Sequence, residues 1–176
     1  FKLIKAVIRD FEDIYEGQKD VHFFGAIIVY EIKGRLTDSK KIEVIDGQQR
    51  LTTVFLFILA AVFVVRGTGD LESAKELYDL YLVSKNQPNL KPNINDRAQL
   101  NWIFKNILTK PFLEILEGSQ KFEQLEFDSN SKEDGALRSN YTRFKYYLES
   151  KIEEIDDRNQ KVEIIFNCLE RILNAC

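Results

Sequence analysis

Methionine is missing from all 176 residues, position 1 included, so the chain is expected to be a piece of a longer protein unless selenomethionines were dropped from the sequence. Histidine occurs once, as His22, so no histidine-based metal cluster can be assembled. The two cysteines, Cys168 and Cys176, stand eight residues apart and match no zinc or redox spacing. They read as buried or incidental thiols of a reducing, cytoplasmic compartment, and a disulfide framework is excluded. A Walker A lysine motif is absent, and Gly67-Thr68-Gly69 lacks the third glycine of a dinucleotide fingerprint, which excludes a standard P-loop or Rossmann reading. The longest apolar run, Val54 to Val65, falls short of the roughly 20 residues that span a bilayer, so it is read as a core helix and no membrane partner is expected. A net charge of −3 supplies no overall basic field, and nucleic-acid binding would need a local patch or residues outside this chain.

What is present is ordinary for a protein with a real core: 44% apolar and 30% charged residues, enough for one domain or two small ones. Leu3, Val7, Phe11 and Tyr15, with Ile4, Ile8 and Ile14 beside them, predict a first helix ended by Gly17. Phe23 to Ile32 and Ile42 to Ile45 are β-branched and aromatic, and the turn-like Lys33 to Ser39 between them predicts a hairpin. A helix is then expected from Gln48 to a cap at Gly67, apolar nearly all round from Val54 and so covered on most sides.

Further helices are predicted over Leu71 to Tyr81 with Asp70 as N-cap, and through Leu100, Ile103, Phe104, Ile107 and Leu108, capped by Asn95 or Asp96 and stopped by Pro111. Two more follow, through Leu137 to Ile155 and Val162 to Leu173. Asn86 to Asn95 and the acidic Glu123 to Gly135 are read as loops. The expected fold class is therefore α+β and helix-dominated, with an α/β part over 1–69 and a helical part over 70–176.

The segment that stands out is Asp46-Gly47-Gln48-Gln49-Arg50-Leu51-Thr52-Thr53, placed where a strand enters a tight turn and leaves as a helix. Unpaired N–H groups and the positive end of the helix dipole gather at such a turn and attract anions. Gly47 allows close approach to the backbone, and Arg50 brings a planar cation that can grip phosphate with two hydrogen bonds. A cation there opposes the dipole at a cost of about 0.3–1 kcal/mol, a sign that a bound anion would reverse. Asp46 has the chemistry to hold magnesium or orient water, Gln48 and Gln49 to position water or read a base or ribose edge, and Thr52 and Thr53 to add hydroxyls. The plain structural reading stands beside this one: Asp46 as N-cap, Gly47 as turn residue and Arg50 as partner of a surface carboxylate.

This octapeptide, preceded by Phe24-Gly25-Ala26-Ile27-Ile28-Val29, resembles the signature of the N-terminal domain of GmrSD-type restriction endonucleases, a family similar to the ParB/sulfiredoxin fold. Weaker similarity covers helix 1, the Leu90-Lys91-Pro92 to Phe104 region and Asn140 to Phe144. The resemblance implies a small ParB-like sheet and a module that binds and hydrolyses a nucleoside triphosphate, GTP favoured, with Mg2+ held at Asp46. It further implies a phage-defence protein that restricts modified DNA, with the nuclease in another domain or subunit. Carried over by position, Asp46, Gly47, Gln48, Gln49 and Arg50 are the motif. Two departures are that the family's upstream strand with a Tyr-Gln-Arg type motif is missing before Phe1, and its downstream Asn-containing segment after Cys176. The alternative is a non-enzymatic ParB-type module that binds nucleotide or DNA at the same turn without turnover.

Other candidates carry less. His22 is read as a strand-edge residue, with a general-base role as the alternative. Trp102 is expected to pack against a neighbouring helix rather than stack on a base. Arg138, Arg143, Lys145 and Lys151 share a helix with interleaved Glu149, Glu153 and Glu154, a pattern read as a solvated face rather than a DNA-binding stripe.

Overall fold

The computed structural model describes residues 2–20, 26–32, 41–116 and 134–175. Phe23 to Gly25, His22, the turn Lys33 to Ser39, Cys176 and most of the acidic stretch, from Glu123 to Glu133, lie outside the described residues.

Helix α1 (Lys2–Tyr15) buries Val7, Phe11 and Ile14, the stripe its helical spacing predicts. It ends as expected at Gly17, whose φ of 74° is costly for a side chain but open to glycine. Gly17 N–H donates to Ile14 O at 3.1 Å and Gln18 N–H to Asp13 O at 2.7 Å, the paired bonds of a Schellman cap. Strands β1 (Ile28–Ile32) and β2 (Lys41–Asp46) then form an antiparallel hairpin. Val29 pairs with Val44 but Ile28 with Asp46, so Ile45 is the extra residue of a bulge directly before the motif.

Helix α2 (Gln48–Gly67) is the central element, and ten of its residues between Phe55 and Val65 are buried. By length and composition it would suffice to cross a membrane, but here just over half of that window is covered by the fold. Its neighbours are α1, α3 (Leu71–Leu77), α6 (Ala136–Ile152) and α7 (Arg158–Ala175). Phe57 sets its ring edge-on to Phe11 at 5.0 Å and to Phe144 at 5.3 Å, tying α1, α2 and α6 together. Each such ring belongs to the class whose truncation to alanine costs about 3–5 kcal/mol. A single contiguous core runs from Val7 to Ala175, and it includes Cys168, whose thiol burial pushes up to about 11.

Several boundaries differ from the expectation. The left-handed residue after α2 is Gly69, with Gly67 still helical and Thr68 as cap. Asp70 caps α3 as predicted, accepting from Ser73 N–H at 3.0 Å, but the last turn, Tyr78–Leu82, widens into a π-helix. A two-residue hairpin follows, β3 (Val83–Ser84) with β4 (Gln87–Pro88). Asp96 holds the N-cap position of α4 (Arg97–Ile107), one of the two residues expected there, but its side chain makes no cap bond; Asn93 caps the 3-10 turn Ile94–Asp96 just before it, accepting from the N–H groups of Asn95 and Asp96. Pro111 does not merely stop α4: it sits in the first turn of a further short helix, α5 (Lys110–Ile115), where its missing N–H costs nothing.

Candidate functional site

The motif lies where the exposed hairpin meets the buried helix. Gly47, at φ 93° and ψ 9°, is the residue before the first turn of α2, and no side chain caps that helix. Asp46 is therefore not the N-cap that the plain structural reading assigned. Arg50 N–H and Leu51 N–H both donate to Gly47 O, at 3.0 and 3.1 Å. Among the described residues, the first-turn donors left for an anion are the N–H groups of Gln48 and Gln49.

Gly47 itself is buried, and a Cβ there would meet Ile27 Cγ1 at 3.0 Å and Ile27 Cα at 3.3 Å. The close approach that needs glycine is thus made, on the Cβ side, by the protein's own chain just before β1. Arg50 reaches the same segment: its Nη1 donates to Ala26 O and lies 3.8 Å from Asp46 Oδ2. The guanidinium is about one-third exposed and the carboxylate 60% exposed, so this ion pair is weak and open to exchange with a ligand. Ala26 and Ile27 stand in the stretch that carries the family resemblance, but their contacts with Arg50 and Gly47 are made through a backbone carbonyl and side-chain bulk, which no residue type announces.

The remaining motif side chains divide by direction. Gln48 turns back along the strand, its Nε2 donating to Val44 O at 3.0 Å. Gln49 is exposed, and among the described residues its amide makes no hydrogen bond. Thr52 and Thr53 donate their hydroxyls to the carbonyls of Gln48 and Gln49, both at 2.7 Å, and so serve their own helix rather than the turn. The turn thus brings together Asp46, Gly47, Gln49 and Arg50, with Gln48 and the two threonines engaged locally. Two surface grooves open elsewhere, one beside Glu76 and Asp79 on α3 and one on the outer face of α6.

A metal fits this corner only in one way. No group of three or more potential ligands occurs among the described residues, so Asp46 would hold magnesium through a single carboxylate, with substrate phosphates completing the shell.

Trp102 packs between helices as expected, with the Arg138 guanidinium 3.5 Å from its ring centroid. Comparison with curated proteins and with solved structures gives no match. The family model described as GmrSD restriction endonuclease, N-terminal domain, matches residues 4–173. With nearly its whole length covered, and the strand, turn and helix of its motif in place, this chain belongs to the GmrSD restriction endonuclease N-terminal domain family.

Proposed function

We propose that the Asp46 to Arg50 turn binds the phosphates of a nucleoside triphosphate, GTP favoured, and that the intact protein hydrolyses it in support of DNA restriction in the cytoplasm. The observation that carries this reading is the start of α2 without a side-chain cap, its two first N–H donors unclaimed among the described residues, beside a cation and an exposed carboxylate. Arg50 would exchange its weak contact with Asp46 for a bidentate grip on phosphate. That releases Asp46 to hold Mg2+, which supplies charge neutralisation at the phosphates when bound. Gln49, pointing free from the first turn, would orient water or the base.

One observation favours a second, non-catalytic role for Arg50, since its bond to Ala26 O ties the chain before β1 to α2. The two roles separate experimentally. Phosphate release from GTP, ATP and CTP is measured with the intact protein for wild type, Arg50→Ala and Gln49→Ala, alongside urea unfolding of each. Loss of one charge-assisted grip corresponds to about 1.5–3 kcal/mol, or roughly ten- to a hundred-fold weaker nucleotide binding for Arg50→Ala. Gln49→Ala, which breaks no side-chain hydrogen bond among the described residues, is expected to slow release without moving the unfolding midpoint. Unchanged affinity in a folded Arg50→Ala protein overturns the phosphate assignment, and no release with any nucleotide or added DNA favours a binding module without turnover.

A further inference from the structure

The motif turn is mounted on a joint. The register of the hairpin skips Ile45, so Val44, paired with Val29, is the last residue of β2 in regular step before Asp46 pairs with Ile28. A bulged residue interrupts the ladder and bends its strand, so the ladder alone sets the direction of Asp46 and of the first turn of α2 only loosely. Side chains set it further. Ile27 fills the space beside Gly47, and Arg50 Nη1 donates to Ala26 O, both contacts reaching the chain before β1. The Arg50 contact with Asp46 lies wholly on the helix side of the bulge. Gln48 does what none of these does: its Nε2 donates to Val44 O at 3.0 Å, tying the first residue of α2 to the last regular residue of β2 across the joint itself. The backbone end of Gln48 is held as well, because its carbonyl accepts from the Thr52 hydroxyl at 2.7 Å. Gln49, with the same chemistry one position on, is exposed, and its amide makes no hydrogen bond among the described residues.

We propose that Gln48 is a positioning residue of the nucleotide turn: its amide clamps the bulge at Ile45 and so fixes where Asp46 and the N–H groups of Gln48 and Gln49 point, while Gln49 is the glutamine that meets the ligand. The inference rests on the reading of this turn as a nucleotide site, and it gives the two glutamines of the motif different tasks. Backbone N–H donors have no rotamers with which to adjust, so a turn that swings about Ile45 misplaces them together. Without the clamp the apparent affinity falls by the fraction of time the turn spends in the binding direction, whereas the complex, once formed, is the same. The loss therefore belongs to binding and not to the rate of the bound nucleotide.

The test compares wild type, Gln48→Met, which keeps the length of the side chain without its donor, and Gln48→Lys, which restores a donor able to reach Val44 O. All are made in the intact protein and checked by circular dichroism. Affinity is read from the anisotropy of a fluorescent GTP analogue, with ATP and CTP as competitors, and phosphate release is measured at saturating nucleotide. Amide exchange at Arg50 and Leu51, whose N–H groups donate to Gly47 O, reports on the turn with no nucleotide present. Gln48→Met is expected to bind roughly three- to tenfold more weakly, to release phosphate at saturation within about twofold of wild type, and to exchange those amides faster. Gln48→Lys should recover both the affinity and the slow exchange. Wild-type affinity in a folded Gln48→Met protein overturns the clamp, and unchanged affinity with phosphate release lost makes Gln48 a group that touches water or ligand. Gln48→Lys as weak as Gln48→Met, or tight while its amides still exchange fast, overturns it too, the second because added charge and not the restored bond has compensated. Absence of nucleotide binding in wild type removes the nucleotide reading itself, and the inference with it, before any Gln48 variant is compared.

Discussion

Gly47 is the residue on which the motif's geometry depends, and two separate constraints meet there. Its φ of 93° is a conformation that side chains enter at a cost of roughly 1–2 kcal/mol, and Ile27 occupies the space a Cβ would need. Gly17 shares the first constraint, at φ 74°, but not the second, since nothing lies within 4 Å of its would-be Cβ. The pair therefore separates strain from contact. Gly17→Ala is expected to cost about 1 kcal/mol, and Gly47→Ala about 1 kcal/mol more, with the turn displaced and nucleotide binding reduced. Urea unfolding of both variants measures this. Equal costs would show that the Ile27 contact yields without penalty and that Gly47 serves conformation alone. The sequence made Gly47 visible as a turn residue through its Asp-Gly setting, but Ile27, twenty positions earlier, was invisible as its neighbour.

At the level of elements, the same limit recurs wherever a partner is distant. The apolar stripe of α1 and the all-round apolar α2 could be read directly, because periodicity is local and the core they face follows from it. Pro111 was legible but ambiguous, since the residue that forbids a helix interior also favours a first turn. The start of α6 was read at Leu137, one residue from where it lies, but what caps it was not legible. Its cap comes from the buried Gln99 on α4, whose Oε1 accepts from Leu137 N–H at 3.0 Å and Arg138 N–H at 3.4 Å while its Nε2 donates to Asp96. Gly135 leaves room for that amide: a Cβ there would come within 2.6 Å of it. Gln99 cannot simply swing aside without giving up three hydrogen bonds. Gln99→Ala and Gly135→Ala should each lower stability by about 1–2 kcal/mol, in the range of a lost helix cap. The double variant should cost little more than either single one, because both remove the same interaction. Additive losses in a double-mutant cycle would mean that Gly135 does not serve the cap.

Across the whole molecule, burial is sharply divided, and the motif sits on the dividing line. On one side the core gathers α2 and the helices around it, with Phe57, Leu59 and Phe144 fully buried. On the other side Ile28, Val29, Tyr30, Ile42 and Ile45 of the hairpin are each at least half exposed. Two strands without a covered face are marginal in water, whereas opening α2 requires dismantling the core. Stability should therefore be graded rather than uniform. In native-state hydrogen exchange, the amides of β1 and β2 are expected to exchange orders of magnitude faster than those of Phe57 to Val65, which open only on global unfolding. Since Arg50 and Gly47 contact Ala26 and Ile27 at the root of the hairpin, a ligand at the turn would bind the ordered arrangement preferentially. GTP should accordingly slow exchange through β1 and β2 while leaving α2 nearly unchanged. Hairpin amides as protected as those of α2 in the free protein would refute the graded picture, and would show that the hairpin folds and opens with the core.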